Sequence, residues 1–130
     1  MAAGQWNLLL EQRADYRPII TYTDSDGKAV NLTGWTARLQ IRASYSASVV
    51  LLELSTTNQK ITLGADGTIR LVFSATDTGS LTAGNLALTN IDNLGPAAQI
   101  GVYDLLLTDQ SGEVTRLVEG PVYLAPGVTQ

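Results

Sequence analysis

The strongest constraint on the fold of this chain is a two-residue alternation of apolar and polar side chains. The alternation is clearest over residues 35–42, where the apolar positions are Trp35, Ala37, Leu39 and Ile41 and the polar positions are Thr36, Arg38, Gln40 and Arg42. Because successive side chains of a β-strand point to opposite faces of a sheet, this pattern predicts a strand with one buried and one solvated face.

Shorter stretches with the same period recur along the chain, separated by turns rich in Gly and Asp at 24–28, 64–67 and 109–112. The second turn lies between 60–63 and 68–74, which predicts a hairpin. The dense apolar run 49–54 predicts a further strand, and Gly120-Pro121 is expected to break or bend the strand predicted over 113–119. Residues 75–83 predict one helical turn, capped by Thr76 or Asp77. The whole chain, 1–130, is therefore predicted to be a single all-β domain: a β-sandwich, immunoglobulin-like or jelly-roll-like, with about eight or nine short antiparallel strands and little helix.

The apolar positions of these strands identify the predicted core. The residues expected there are Trp35, Leu39, Ile41, Ile69, Leu71, Phe73, Tyr103 and Leu105.

The segment 85–100 is rich in apolar residues, and Asp92 is its only charged residue. Two interpretations stay open. It is one more core strand followed by a loop, or it is a long projecting loop inserted in the domain, whose apolar residues need a partner to cover them. In the second case Leu86, Leu88, Ile91 and Leu94 are interface residues.

The composition narrows the classes of function. The chain has no cysteine and no histidine, which removes disulfides, thiolate metal sites and the commonest general base. The net charge is -4 and no run of Lys or Arg is present, so nucleic-acid binding is not expected. Neither a signal peptide nor an apolar stretch long enough to span a membrane is found.

No catalytic, cofactor-binding or metal-binding residue is predicted. Asp24 and Asp26 resemble the first half of a calcium loop, but Trp35 stands where that motif needs a bidentate Glu, so the local turn is the favoured interpretation. The carboxylate pairs Glu11 with Asp15 and Glu113 with Glu119 carry no motif that would make them an acid and a base.

Arginine and exposed aromatic residues are the other candidates for binding. Arg38 and Arg42 lie on the polar face of the predicted strand 35–42, and Tyr45 follows in a loop of Ser and Ala. They are candidate interface residues, since arginine is favoured at protein interfaces; the alternative is a solvated sheet face with cross-strand ion pairs. A carbohydrate-binding face would instead require exposed Trp6, Tyr45 or Tyr123 on one side of the domain.

Four pieces of sequence resemble, in their order and spacing, a family of small bacteriophage and prophage virion proteins. These are similar to the N-terminal β-sandwich of phage baseplate upper proteins and to tail-fibre attachment domains. The pieces are Gly4-Gln5-Trp6-Asn7-Leu8 with Glu11-Gln12, the run from Tyr22 through Val30-Asn31-Leu32-Thr33-Gly34-Trp35 to Arg42, Tyr103-Asp104-Leu105 through Glu119-Gly120, and Pro126-Gly127-Val128-Thr129.

The resemblance implies a non-enzymatic structural protein of the virion, made in the cytoplasm of the bacterial host. It would be a small separate subunit of the tail, baseplate or fibre attachment that self-associates into a homo-oligomer and binds other virion proteins. The alternatives are a capsid decoration protein and a carbohydrate-binding module for host-surface attachment. The family runs directly from a Leu-x-Ala-Gly turn, here Leu81-Thr82-Ala83-Gly84, into the Tyr-Asp-Leu strand, so segment 85–100 departs from its pattern.

Overall fold

The computed structural model describes residues 3–92 and 94–129. In this part of the chain it contains ten β-strands and one short helix. In chain order they are β1 (Gly4–Gln5), β2 (Leu8–Glu11), β3 (Ile19–Thr21), β4 (Thr36–Arg42), β5 (Leu52–Ser55), β6 (Ile61–Leu63), β7 (Thr68–Leu71), α1 (Ala75–Gly79), β8 (Thr89–Ile91), β9 (Gly95–Thr108) and β10 (Val114–Ala125).

The strands form two sheets, so the protein has the predicted all-β, sandwich-like architecture. The larger, seven-stranded sheet has the order β1-β10-β9-β4-β5, with β2 also pairing with β10 and β8 also pairing with β9. The smaller sheet has the order β3-β7-β6, and its β6–β7 hairpin confirms the one predicted from the sequence. Buried side chains from both sheets form one hydrophobic core cluster.

The alternation in β4 determines which face of the large sheet is inward. Ala37, Leu39 and Ile41 are buried, whereas the polar positions between them are exposed or half-buried. Seven of the eight predicted core side chains are buried, and these are Leu39, Ile41, Ile69, Leu71, Phe73, Tyr103 and Leu105.

Trp35 is the exception among the predicted core residues. It precedes β4 in a turn closed by a hydrogen bond from its own N–H to the Leu32 carbonyl, 3.0 Å. Its half-buried indole packs edge-on against Tyr22 at a ring separation of 6.3 Å. The sequence alternation places Trp35 in phase with Leu39 and Ile41, but the strand begins one residue later, so Trp35 lies at the rim of the core.

The sequence predicted antiparallel strands, but two of the strand pairs are parallel. The N-terminal strands β1 and β2 both pair with β10 in parallel, at Gly4–Val118 and Leu8–Val122 among other pairs. β10 itself continues through Gly120 and Pro121, where the sequence predicted a break or a bend. A side chain at Gly120 would overlap the Trp6 carbonyl oxygen, so glycine here allows β10 to approach the N-terminal segment closely.

The strand predicted at 49–54 is shorter and lies later in the chain. Val49 and Val50 precede β5 and are exposed, as is Leu51. Periodicity alone does not separate a buried strand from an apolar loop in such a short run.

Segment 85–100 combines elements of both interpretations offered by the sequence. Residues 84–90 are exposed, and they lead through β8 into a hairpin with the start of β9. The second half of the segment belongs to β9, where Ala97 and Ala98 are buried. The segment is therefore an exposed loop over 85–88 followed by a hairpin that continues a central strand of the large sheet.

Helix α1 confirms the predicted helical turn but not its predicted cap. Ser74 is the N-cap residue: its hydroxyl accepts from the Asp77 backbone N–H at 3.1 Å, and the Asp77 carboxylate accepts from the Ser74 N–H at 3.2 Å. The same carboxylate forms a 2.6 Å ion pair with Lys60. Burial alone would raise the pKa of Asp77, but the hydrogen bonds from Lys60 and Ser74 outweigh it and hold the pKa below the ordinary value of 3.8.

The lowered pKa of Asp77 predicts a pH-dependent contribution to stability. This contribution is present above the unfolded pKa and is lost as the pH falls through the lower folded pKa. We expect Asp77→Asn to cost about 2 kcal/mol at neutral pH. The difference between the variant and the original protein should shrink below about pH 3 in urea unfolding. If the variant and the original protein differ in free energy of unfolding by the same amount at neutral pH and below about pH 3, this role for the carboxylate is contradicted.

Candidate interaction surfaces

The first candidate surface is the part of segment 85–100 that stands away from the core, residues 84–91, here called the arm. Leu86 and Leu88 are 51% and 50% exposed. Ile91 is half-buried where β8 pairs with β9 through Ile91–Gly95. Leu86 and Leu88 are therefore the leucines of the predicted interface that are available to a partner.

Leu94 has different surroundings from the leucines of the arm. It is half-buried and lines a hollow of about 200 Å³ with residues of β2 and of the segment that follows β2. The other lining residues are Leu9, Glu11, Ala14, Asp15 and Tyr16. The structure thus places Leu94 against the body of the domain, and it brings Glu11 and Asp15 to the same hollow.

The second candidate surface is the polar face of β4 and its neighbouring strands. Glu53 of β5 accepts hydrogen bonds from Gln40 at 2.6 Å and from Arg38 at 3.0 Å. These contacts, that of Gln40 first, lower the pKa of the Glu53 carboxyl. Arg42 in turn donates to Gln40 Oε1 at 2.9 Å and to the Ala47 carbonyl at 2.8 Å.

A second set of ion pairs continues this face across β9 and β10. Arg116 lies 3.2 Å from Asp104 Oδ2 and 3.4 Å from Glu119 Oε2. Together with Arg38, Arg42 and Glu53, these residues form a cluster of three arginines and three carboxylates, which we call the outer-face cluster. Its formal charge is zero. Arg38 thus forms a cross-strand ion pair with Glu53, and such exposed pairs contribute little to stability.

Tyr45 lies at one end of the outer-face cluster and is 77% exposed. With Gln40, Arg42, Asp104 and Arg116 it lines a hollow of about 300 Å³. Its other lining residues are Ser44, Val102, Tyr103 and Leu106. The structure thus brings the predicted residues Arg42 and Tyr45 together, and it places Arg38 next to Glu53.

Sequence reasoning missed several members of these surfaces. Asp104 and Arg116 join Arg42 only through the strand order β10-β9-β4, which a single sequence does not reveal. The exposed side chains of Val49, Val50 and Leu51 were missed because they were predicted to lie in a strand.

The other aromatic candidates for a carbohydrate face are more covered than Tyr45. Trp6 is half-buried and packs edge-on against Tyr103 at 6.4 Å, and the Tyr103 hydroxyl donates to the Trp6 carbonyl at 2.7 Å. Burial raises the pKa of Tyr103. Tyr123 is half-buried in β10.

The acidic turns have the local role that turn chemistry predicts. Asp24 Oδ1 accepts from the backbone N–H groups of Asp26 and Lys28, at 2.9 and 3.0 Å. Asp109 Oδ1 accepts from the Ser111 hydroxyl at 2.7 Å and from the backbone N–H groups of Ser111 and Glu113. These contacts, that of the hydroxyl first, lower the pKa of Asp109. Within 3–92 and 94–129, no group of three acidic, Cys or His side chains is placed to hold a metal ion. In the same residues no helix has the length and apolarity to cross a membrane.

Comparison with known proteins gives a structural likeness alone. No family model and no curated protein sequence matches the chain. Among solved structures, the chain is similar to extracellular domains 3–5 of Drosophila OTK, with a TM-score of 0.35 and 13% identity. The match covers 93% of this chain and 33% of that one, so the chain spans about a third of the length of the structure it matches.

Proposed function

We propose that this protein is a non-enzymatic structural component of a bacteriophage virion, in the tail, baseplate or fibre attachment, that assembles through protein–protein contacts. The observation that carries the proposal is the arm, where two leucines stand half exposed in the loop that leads into β8, outside the core. The ordered motifs shared with virion proteins support the assignment to a phage particle.

The arm has the physical features of an assembly contact. Covering an exposed leucine side chain in an interface removes apolar surface from water, which is the main favourable term in association. The hairpin joins β9, which pairs with both β10 and β4, so its base is held by the large sheet. The loop that carries Leu86 and Leu88 leads directly into β8, so its C-terminal end is anchored to the large sheet, and this anchoring limits the conformational entropy that is lost on binding.

The partners that we propose are other copies of this chain and neighbouring virion proteins. Closed symmetric homo-oligomers are the commonest soluble assemblies, so self-association through the arm is the first expectation. Location in the virion, after synthesis in the host cytoplasm, is part of the same proposal.

Replacement of the arm leucines tests the interface directly. We expect the double variant Leu86→Ser/Leu88→Ser to remain folded, because both side chains lie outside the core, and to weaken self-association at least about tenfold. The measurement is the weight-average mass by light scattering over a concentration series. Deletion of 85–99 is a poorer test, since it also removes the buried Ala97 and Ala98.

The matched control is Val49→Ser/Leu51→Ser, which removes exposed apolar side chains from the loop before β5. If only the arm variant dissociates, the arm is the interface. Equal self-association of the original protein and the arm variant would contradict the assignment of the interface to the arm.

Two alternatives predict other outcomes. A capsid decoration protein would be a monomer alone and would order into a symmetric array only on a capsid surface. A carbohydrate-binding module for host attachment would bind glycans through an exposed aromatic face and would need no self-association.

A further inference from the structure

We propose that the hollow beside Tyr45 on the outer face is a binding site for one neutral saccharide unit. This inference is independent of the arm, because none of the residues that line the hollow belongs to residues 84–91. The hollow has a volume of about 300 Å³ and an exposed aromatic ring at its edge. That volume is at the small end of the range for ligand pockets, which suits a single sugar ring better than a folded partner.

The polar groups around the hollow offer both donors and acceptors. Arg42 is held by Gln40 and by the Ala47 carbonyl, and a guanidinium has more N–H groups than these contacts use. Asp104 is held by Arg116 at 3.2 Å, and its carboxylate has lone pairs left for a hydroxyl donor. Neighbouring sugar hydroxyls both donate and accept, so they match an arginine and a carboxylate on adjacent strands.

The charge balance of the outer-face cluster selects the class of saccharide. The cluster sums to a formal charge of zero: Arg38 and Arg116 form ion pairs with its three carboxylates, whereas Arg42 donates to Gln40 and to the Ala47 carbonyl. An acidic sugar would approach Asp104, and a cationic ligand would approach Arg42 and Arg116. A neutral ligand gains hydrogen bonds from both kinds of group without an uncompensated charge.

Tyr45 supplies the apolar part of the site. A side chain that is 77% exposed gains little from the fold of its own domain, and its ring is free to pack against the apolar face of a sugar. The cross-strand contacts of Gln40, Arg42, Asp104 and Arg116 hold the polar groups in place before the ligand arrives, which lowers the entropic cost of binding.

The test uses the whole chain, labelled with ¹⁵N, and a panel of sugars added one at a time. The probes are glucose, galactose, N-acetylglucosamine, maltose and cellobiose, with N-acetylneuraminic acid as the acidic comparison. We expect at least one neutral sugar to shift the amide signals of Val102, Asp104 and Leu106. We expect Tyr45→Ala and Asp104→Asn each to weaken binding of that sugar about tenfold. The amide signals of residues away from the hollow should stay unchanged in both variants.

Leu88→Ser is the matched control, because it changes an exposed side chain of the arm and should leave sugar binding unaltered. The proposal is overturned if no neutral sugar shifts these signals, if the acidic sugar binds more tightly, or if Tyr45→Ala leaves binding unchanged. Loss of self-association in Tyr45→Ala, with no sugar bound by the original protein, would show instead that this face is a protein interface.

Discussion

Phe73→Ala is expected to lower the free energy of unfolding by about 3–5 kcal/mol. Phe73 is fully buried and stacks on Tyr16 with ring centroids 6.0 Å apart. The backbones of the two residues also exchange hydrogen bonds of 2.8 Å in both directions. The smaller side chain would leave a cavity between β7 and the segment before β3, and would remove the surface that orders Tyr16. Urea unfolding measures the loss of free energy, and an unchanged slope of the transition shows that the shift in midpoint reports stability alone.

Two substitutions bracket the expected effect of Phe73→Ala. Trp35→Ala should cost less, because the indole lies half-buried at the rim of the core. Tyr45→Ala should change stability by no more than about 0.5 kcal/mol, because the ring is 77% exposed. A loss for Trp35→Ala equal to that for Phe73→Ala would contradict the position that the structure gives to Trp35.

Gly101→Ala is expected to be the most disruptive small change, with a cost of about 3 kcal/mol. A methyl group at this position would overlap the Arg42 carbonyl oxygen and approach Ala43 Cα to 3.2 Å. Both atoms belong to the backbone, so neither can rotate away. β9 would have to move away from the end of β4, just before the residues that line the hollow beside Tyr45.

Gly4→Ala is the matched control for Gly101→Ala. A methyl group at Gly4 would meet only ordinary contacts, at 3.6 Å from the Leu117 carbonyl oxygen and 3.7 Å from Val118 Cγ1. Its effect on the free energy of unfolding, measured in urea, should be within about 0.5 kcal/mol. If Gly101→Ala changes the free energy of unfolding as little as Gly4→Ala does, β9 and β4 are farther apart than the structure places them.

Local patterns in the sequence were sufficient to predict the strands that have one wet and one buried face. The alternation in β4 predicts Leu39 and Ile41 in the core because a period of two residues follows directly from strand geometry. The turns at Asp24 and Asp109 were also predictable from the local sequence, because each carboxylate accepts hydrogen bonds from backbone amides only a few residues away.

Features that depend on distant parts of the chain were not predictable. The parallel pairing of β1 and β2 with β10 joins residues more than a hundred positions apart, such as Gly4 and Val118. The requirement for glycine at position 120 comes from the nearby Trp6 carbonyl oxygen, which the local sequence around Gly120 does not reveal. The polar site beside Tyr45 has the same origin, because Arg42, Asp104 and Arg116 come together only through the strand order.

The two proposed surfaces consist of different residues of one domain and have different proposed roles. The arm presents leucines, which favour contact with protein, whereas the outer-face cluster presents a neutral set of donors and acceptors beside one aromatic ring. The variants at Leu86 and Leu88 and at Tyr45 therefore separate assembly from ligand binding in a single chain.

The most direct test of the virion assignment is quantitative mass spectrometry of phage particles, purified by density gradient from an induced culture that encodes this protein. We expect the protein to sediment with the particles in multiple copies per virion and to remain bound through repeated gradients. Recovery of the chain entirely in the soluble fraction, with particles complete without it, would contradict the proposed structural role.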